Sequence, residues 1–148
     1  MTPHVAFTVG YQGSDPDMLV ADLQAAGVAI VIDTRLHPMS RRPAFRREAL
    51  RTRLAAGGIA YRWQPTLGTP KRIRPLATRR PWLFRAGYRG VLGRAASDVE
   101  EVATIARSAT VALLCFELDE RECHRSLLAV ELARRAPLHF VHLRPGRV

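Results

Sequence analysis

The stretch "LLCFELDERECHRS", residues 113–126, gathers Cys115, Glu117, Cys123, His124 and Arg125 around one loop. Two thiols, a carboxylate, an imidazole and a guanidinium could serve a nucleophile, a metal or a ligand. The spacing from Cys115 to Arg121 matches the C-x5-R pattern of thiol-dependent phosphatases. Glu117, Asp119 and Glu120 would repel a phosphate, however, and no glycine lets the loop wrap one. Cys123 and His124 are adjacent rather than spaced as zinc ligands, so no metal is expected. Cys115 closes an apolar run and reads as a buried strand end. Cys123, in the first turn of a helix beside His124 and Arg125, suits a lowered thiol pKa. Two readings therefore stand: thiol-dependent redox or transfer chemistry at Cys123, or a Cys123 packed inward while Arg125 reaches a ligand.

A second cluster is "DTRLHPMSRR", with Asp33 at the end of an apolar run and Arg35, Ser40 and Arg41 behind it. A carboxylate so placed serves as a hydroxyl acceptor or a general base, and Arg35 as a phosphate ligand or as its ion-pair partner. "GYQGS" brings Gly10 and Tyr11 to a strand-to-helix turn whose free amides favour an anion, or which is simply a capped turn. It lacks the full dinucleotide and Walker patterns, so no NAD or ATP follows, and no cofactor is expected. A third region interleaves Tyr61, Trp63, Trp82, Phe84 and Tyr88 with Arg62, Arg79, Arg80, Arg85 and Arg89. Lys71, Arg72 and Arg74 belong to the same basic stretch. Stacking aromatics and phosphate-pairing arginines suit a nucleic-acid strip, although aromatics in a small α/β domain mostly fill the core.

Charge sharpens that reading. The net charge is +10, but residues 34–97 hold 16 Arg or Lys against one acid, Glu48. The remainder holds 7 against 12, so the two regions carry +15 and −5. A uniform arginine bias would not also strip the acids, so a phosphorylated small molecule, a nucleotide or a nucleic acid is the expected partner.

The elements that must position these residues alternate. "AFTVG", "VAIVID", "IAYRW", "TVALLCF" and "LHFVHL" read as strands, the second without polar alternation, as in a sheet covered on both faces. "SDPDMLVADLQAAG" starts a helix at Ser14 or Asp15, with Leu19, Val20, Leu23 and Ala26 inward. "PAFRREALRTRLAAGG" turns Phe45, Ala49, Leu50 and Leu54 inward. Ser97 and Glu100 form a capping box for the next helix, and "CHRSLLAVELARR" is the last. Residues 64–96, broken by four prolines, read as the least regular part. The pattern predicts an α/β three-layer Rossmann-like sandwich over residues 1–148 as a single domain, with a mostly parallel sheet of about five strands. Ligands of such folds sit beyond the C-terminal strand ends, which selects four loops: 10–14, 33–42, 63–69 and 115–125. If the first and fourth strands are neighbours, the "GYQGS" turn faces the Cys115 loop. With no apolar run of membrane-spanning length and no signal-peptide pattern, the expected location is cytoplasmic, where the two cysteines would stay reduced.

Four blocks together carry a family resemblance: "TVGYQGSDPDMLVADLQAAGV", "VIDTRLHPMSRRPAF", "YRWQPTLG" and "LLCFELDERECHRSLLA". The chain resembles the DUF488 family of small α/β proteins over nearly its whole length. The resemblance implies a site at Gly10, Tyr11, Asp33, Arg35, Ser40, Arg41, Leu67, Gly68, Cys115, Glu117, Cys123, His124 and Arg125, but names no reaction. Thr34, and the basic segment after Gly68, depart from the family's usual pattern. The expected function is binding of a phosphorylated or nucleotide-like ligand, with hydrolase or transferase chemistry through Asp33, Glu117 and His124. The alternative is a non-catalytic nucleic-acid-binding module using residues 35–94.

Overall fold

The computed structural model describes residues 3–117 and 124–144. Its strands are β1 (His4–Gly10), β2 (Ile30–Asp33), β3 (Ala60–Trp63), β4 (Val111–Cys115) and β5 (Leu138–Leu143). They form one sheet in the order β3-β2-β4-β1-β5, every neighbouring pair parallel. The helices are α1 (Pro16–Ala25), α2 (Arg47–Ala56), α3 (Leu76–Arg79), α4 (Pro81–Arg94), α5 (Ala96–Ser108) and α6 (Arg125–Arg135). The architecture is the Rossmann-like three-layer α/β sandwich that the alternation predicts. No helix among the described residues is long and apolar enough to cross a membrane.

The unbroken apolar strands have a direct cause: both faces of the sheet are covered. On one face Val31, Ala112 and Leu114 meet Leu19 and Leu23 of α1 and Leu50 and Leu54 of α2. On the other, Ile32, Val111 and Leu113 meet Tyr88 of α4, Val99 and Val102 of α5, and Leu128 and Leu132 of α6. Each fully buried Leu or Val contributes about 1.5–3 kcal/mol relative to exposure, so the two cores dominate the stability. β1 and β4 are adjacent, in register from Phe7 opposite Ala112 to Gly10 opposite Cys115. Their following helices, α1 and α6, lie on opposite faces. A crevice opens at their C-terminal ends for that reason.

Several local expectations are decided or changed. Asp15, not Ser14, caps α1: its Oδ2 accepts from the amides of Asp17 (3.0 Å) and Met18 (3.1 Å), a contribution of about 1 kcal/mol. Residues 64–96 hold α3 and α4, because Pro81 occupies the first turn of α4, where the missing amide hydrogen has no helical partner to lose. The Ser97–Glu100 capping box does not form. Ala95 alone separates α4 from α5, so Ser97 already lies inside the helix. Helix α2 begins at Arg47, after a 3-10 turn over Pro43–Phe45, and Ala49 faces solvent while Phe45 is buried.

Candidate functional site

At the end of β2, Asp33 is fully buried and saturated with donors. Its Oδ1 accepts from the Arg35 amide (3.1 Å) and Nε (2.9 Å), and its Oδ2 from Arg35 Nη2 (2.7 Å) and the Tyr61 hydroxyl. Burial works against the Arg35 charge, but the hydrogen bonds and charge of Asp33 override it and raise the guanidinium pKa. Burial, the Asp33 charge and the hydrogen bond to it push the Tyr61 hydroxyl up in turn. Arg35 Nη1 donates to the Phe45 carbonyl (2.6 Å) and to the Tyr11 hydroxyl (3.3 Å). Four of its five N–H donors are thus used within the fold, leaving one. Trp63 Nε1 holds the Arg35 carbonyl (2.9 Å), and Arg47 stacks over the Trp63 ring at 4.4 Å.

Next to β2, the β4 end and the β1 end are tied by backbone bonds from Tyr11 N to Cys115 O (3.2 Å) and Gln12 N to Phe116 O (2.9 Å). The "GYQGS" turn therefore does face the Cys115 loop. Its helix amides are already taken by Asp15, which leaves the capped-turn role observed. Tyr11 stacks on Phe45 (4.6 Å between ring centres) and meets Phe116 edge-on (5.4 Å). Arg42 covers the other side of Phe45 at 4.4 Å and donates to the Ser14 carbonyl.

His124 is buried between threonines. Thr34 Oγ1 gives its hydrogen to the Leu114 carbonyl (2.9 Å), so toward His124 Nε2 (2.8 Å) it can only accept. Nε2 therefore carries the proton, and Nδ1 accepts from Thr69 Oγ1 (2.8 Å). Burial lowers the His124 pKa to about 3, Arg125 and Arg74 adding positive charge while the Thr34 hydrogen bond opposes. Thr34 is thus the residue that sets the tautomer. Tyr88, buried beside the ring, donates to the Leu67 carbonyl (2.7 Å) and fixes the turn that presents Thr69.

These loops enclose a cavity of about 670 Å³, within the range of small-molecule sites. All four of the expected loops contribute: Tyr11; Arg35, Ser40 and Arg41; Thr69; and Cys115, Glu117 and His124. The remaining wall comes from Arg74, Ala77 and Phe84. Of the strand-end site residues singled out from sequence, Gly10, Asp33, Leu67, Gly68 and Arg125 sit outside the lining. Arg125 is wholly buried and donates from Nη2 to the Glu117 carbonyl. Arg62 is engaged by Glu101 and Gln64, and Trp63 by Arg35 and Arg47. Lys71, Arg72, Arg79 and Arg80 are exposed. Sequence reasoning did not single out Leu36, Met39, Arg42, Thr69 or Phe116 as lining. Phe116 had a legible signal, an apolar residue continuing past the strand end; Thr69 had none.

Cys115 corrects the expectation of reduced thiols: it is disulfide-bonded, and no cysteine among the described residues is free. Compartment reasoning says nothing about proximity, which decides whether sulfurs meet. Its Sγ lies 3.4 Å from Glu117 Oε2. Cys123, with its thiol reading, lies outside the described residues, as do Asp119, Glu120 and Arg121. Among the described residues no group of three or more His, Cys, Asp or Glu is placed to hold a metal.

No curated protein and no solved structure matches the chain. Residues 15–132 match the family described as "Domain of unknown function DUF488". That span takes in α1, the Asp33–Arg35 clamp, the His124 threonine pair and every cavity-lining residue except Tyr11, and the chain belongs to the DUF488 family.

Proposed function

We propose that the cavity binds a phosphorylated, nucleotide-like ligand and that the protein acts on it as a hydrolase or transferase. One observation carries the reading: among the described residues, four guanidinium groups, of Arg35, Arg41, Arg42 and Arg74, line the cavity against a single carboxylate, Glu117. An excess of cationic donors in a crevice with low-dielectric walls favours an anion and concentrates it there. Arg41 and Arg74 hold the anionic oxygens, since neither is in an ion pair among the described residues. Arg35 adds its one remaining N–H. The exposed Phe116 and Met39 flank the planar part of the ligand.

Glu117, the one carboxylate of the lining among the described residues, takes the general acid/base role. It accepts a proton from an attacking water or hydroxyl while the arginines stabilise charge on the leaving oxygens. Asp33 acts through Arg35, whose plane it holds, and His124 through Thr34 and Thr69, which it ties to the β4 loop. Titration calorimetry with a nucleoside monophosphate, its nucleoside and inorganic phosphate tests the reading. The phosphorylated ligand should bind and the nucleoside should not. Arg41→Gln or Arg74→Gln should each weaken binding about tenfold, the loss of one charge-assisted hydrogen bond. Glu117→Gln should keep the affinity and lose turnover of the bound ligand. Equal affinity for nucleoside and nucleotide would end the phosphate assignment.

A further inference from the structure

The outer surface of α3 and α4 has a character that the cavity does not use. Phe84, Tyr88, Val91 and Leu92 of α4 are buried, which turns Trp82, Arg85 and Arg89 outward. Arg85 and Arg89 stand one helical turn apart, about 6 Å along the axis. Trp82 is 61 % exposed, on a helix whose other aromatic rings are buried. Arg79 and Arg80 precede it, and Lys71 and Arg72 extend the same stretch, all exposed.

The charge of this surface is uncompensated. Elsewhere arginines find acids: Arg53 pairs with Asp17, Arg62 with Glu101, and Arg135 with Glu100 and Glu131. Among the described residues none of Lys71, Arg72, Arg79, Arg80, Arg85 and Arg89 is in an ion pair. No acid occurs in sequence between Glu48 and Asp98.

We propose that this face of α3 and α4 binds a single-stranded nucleic acid. Arginines pair its phosphates and the Trp82 ring stacks on an unpaired base, the combination that single-strand binders use. A duplex keeps its bases stacked on one another and offers Trp82 no face. A lipid surface fits less well. Membrane-surface helices present a broad apolar face, whereas the apolar face of α4 is spent in the core and Trp82 stands alone among cations.

Fluorescence anisotropy with a short fluorescein-labelled single strand of mixed sequence tests the site. Its duplex and vesicles of phosphatidylcholine with phosphatidylserine serve as the other arms. The wild type should bind the single strand most tightly. Trp82→Ala should weaken that binding about 5- to 150-fold, the range for losing one stacked base. Arg85→Gln combined with Arg89→Gln should lower the slope of log affinity against log salt by about 1.4. All three positions lie on the surface and outside the cavity lining, so nucleoside monophosphate binding and the circular dichroism spectrum should not change. Unaltered affinity in Trp82→Ala, duplex bound as tightly as single strand, or binding to vesicles but not to the strand would each overturn the proposal.

Discussion

At the scale of single residues, His124 shows how neighbours decide what an imidazole does. A histidine at a loop-to-helix junction looks like an acid/base group, yet two threonines occupy both ring nitrogens and burial holds its pKa down at about 3. The folded state therefore favours the neutral ring. Its contribution is complete above the unfolded value of about 6.5 and is lost as the pH falls from there toward the folded value. The unfolding free energy from urea titrations across that window should fall for the wild type by up to about 1.4 kcal/mol per pH unit. His124→Gln should show a shallower fall, and equal slopes would refute the assignment. Asp33 is the parallel case. "DTR" made both the ion pair and the hydroxyl acceptor legible. The Tyr61 hydroxyl, 28 residues on, supplies the extra donor that completes the carboxylate's shell.

At the scale of elements, Gly68 couples two loops. Its φ of −76° is ordinary backbone, so conformational freedom does not explain the glycine. Space does: a Cβ there would lie 2.6 Å from Leu36 N and 2.7 Å from Leu36 Cα. The turn after β3 packs against the chain after β2, and both help to shape the cavity through Thr69 and Leu36. Gly68→Ala should cost about 1–3 kcal/mol, as overpacking against backbone does, and a thermal melt followed by circular dichroism measures it. An unchanged melting temperature would mean that the two loops separate freely. The helical stretch from Pro81 to Ser108 is only half legible in the sequence, because a proline marks a break in one context and starts a helix at Pro81 in another.

For the whole molecule, the charge asymmetry has a cost as well as a use. The acids lie mainly outside residues 34–97, and exposed pairs such as Arg107 with Glu100 contribute no more than about 1 kcal/mol each. The basic region repels itself, and salt screens exposed charges over about 10 Å at 0.1 M. Added sodium chloride should therefore raise the melting temperature; a fall would mean that the surface ion pairs outweigh the repulsion. The amino-acid sequence by itself determined the layers, the strand set and the family, since those depend on local periodicity and on contiguous motifs. It also selected the loops that meet at the cavity, because in this architecture function collects at strand ends. Only the tertiary structure decided which of those charges face the cavity and which are consumed in the fold. Asp33, Arg35, Arg125 and His124 are all strand-end or helix-start groups of the same apparent promise. Arg35 and Arg125 find Phe45 and Glu117 within their own loops, whereas the partners of Asp33 and His124, Tyr61 and Thr34, come from distant segments that the β3-β2-β4 order brings within hydrogen-bonding reach.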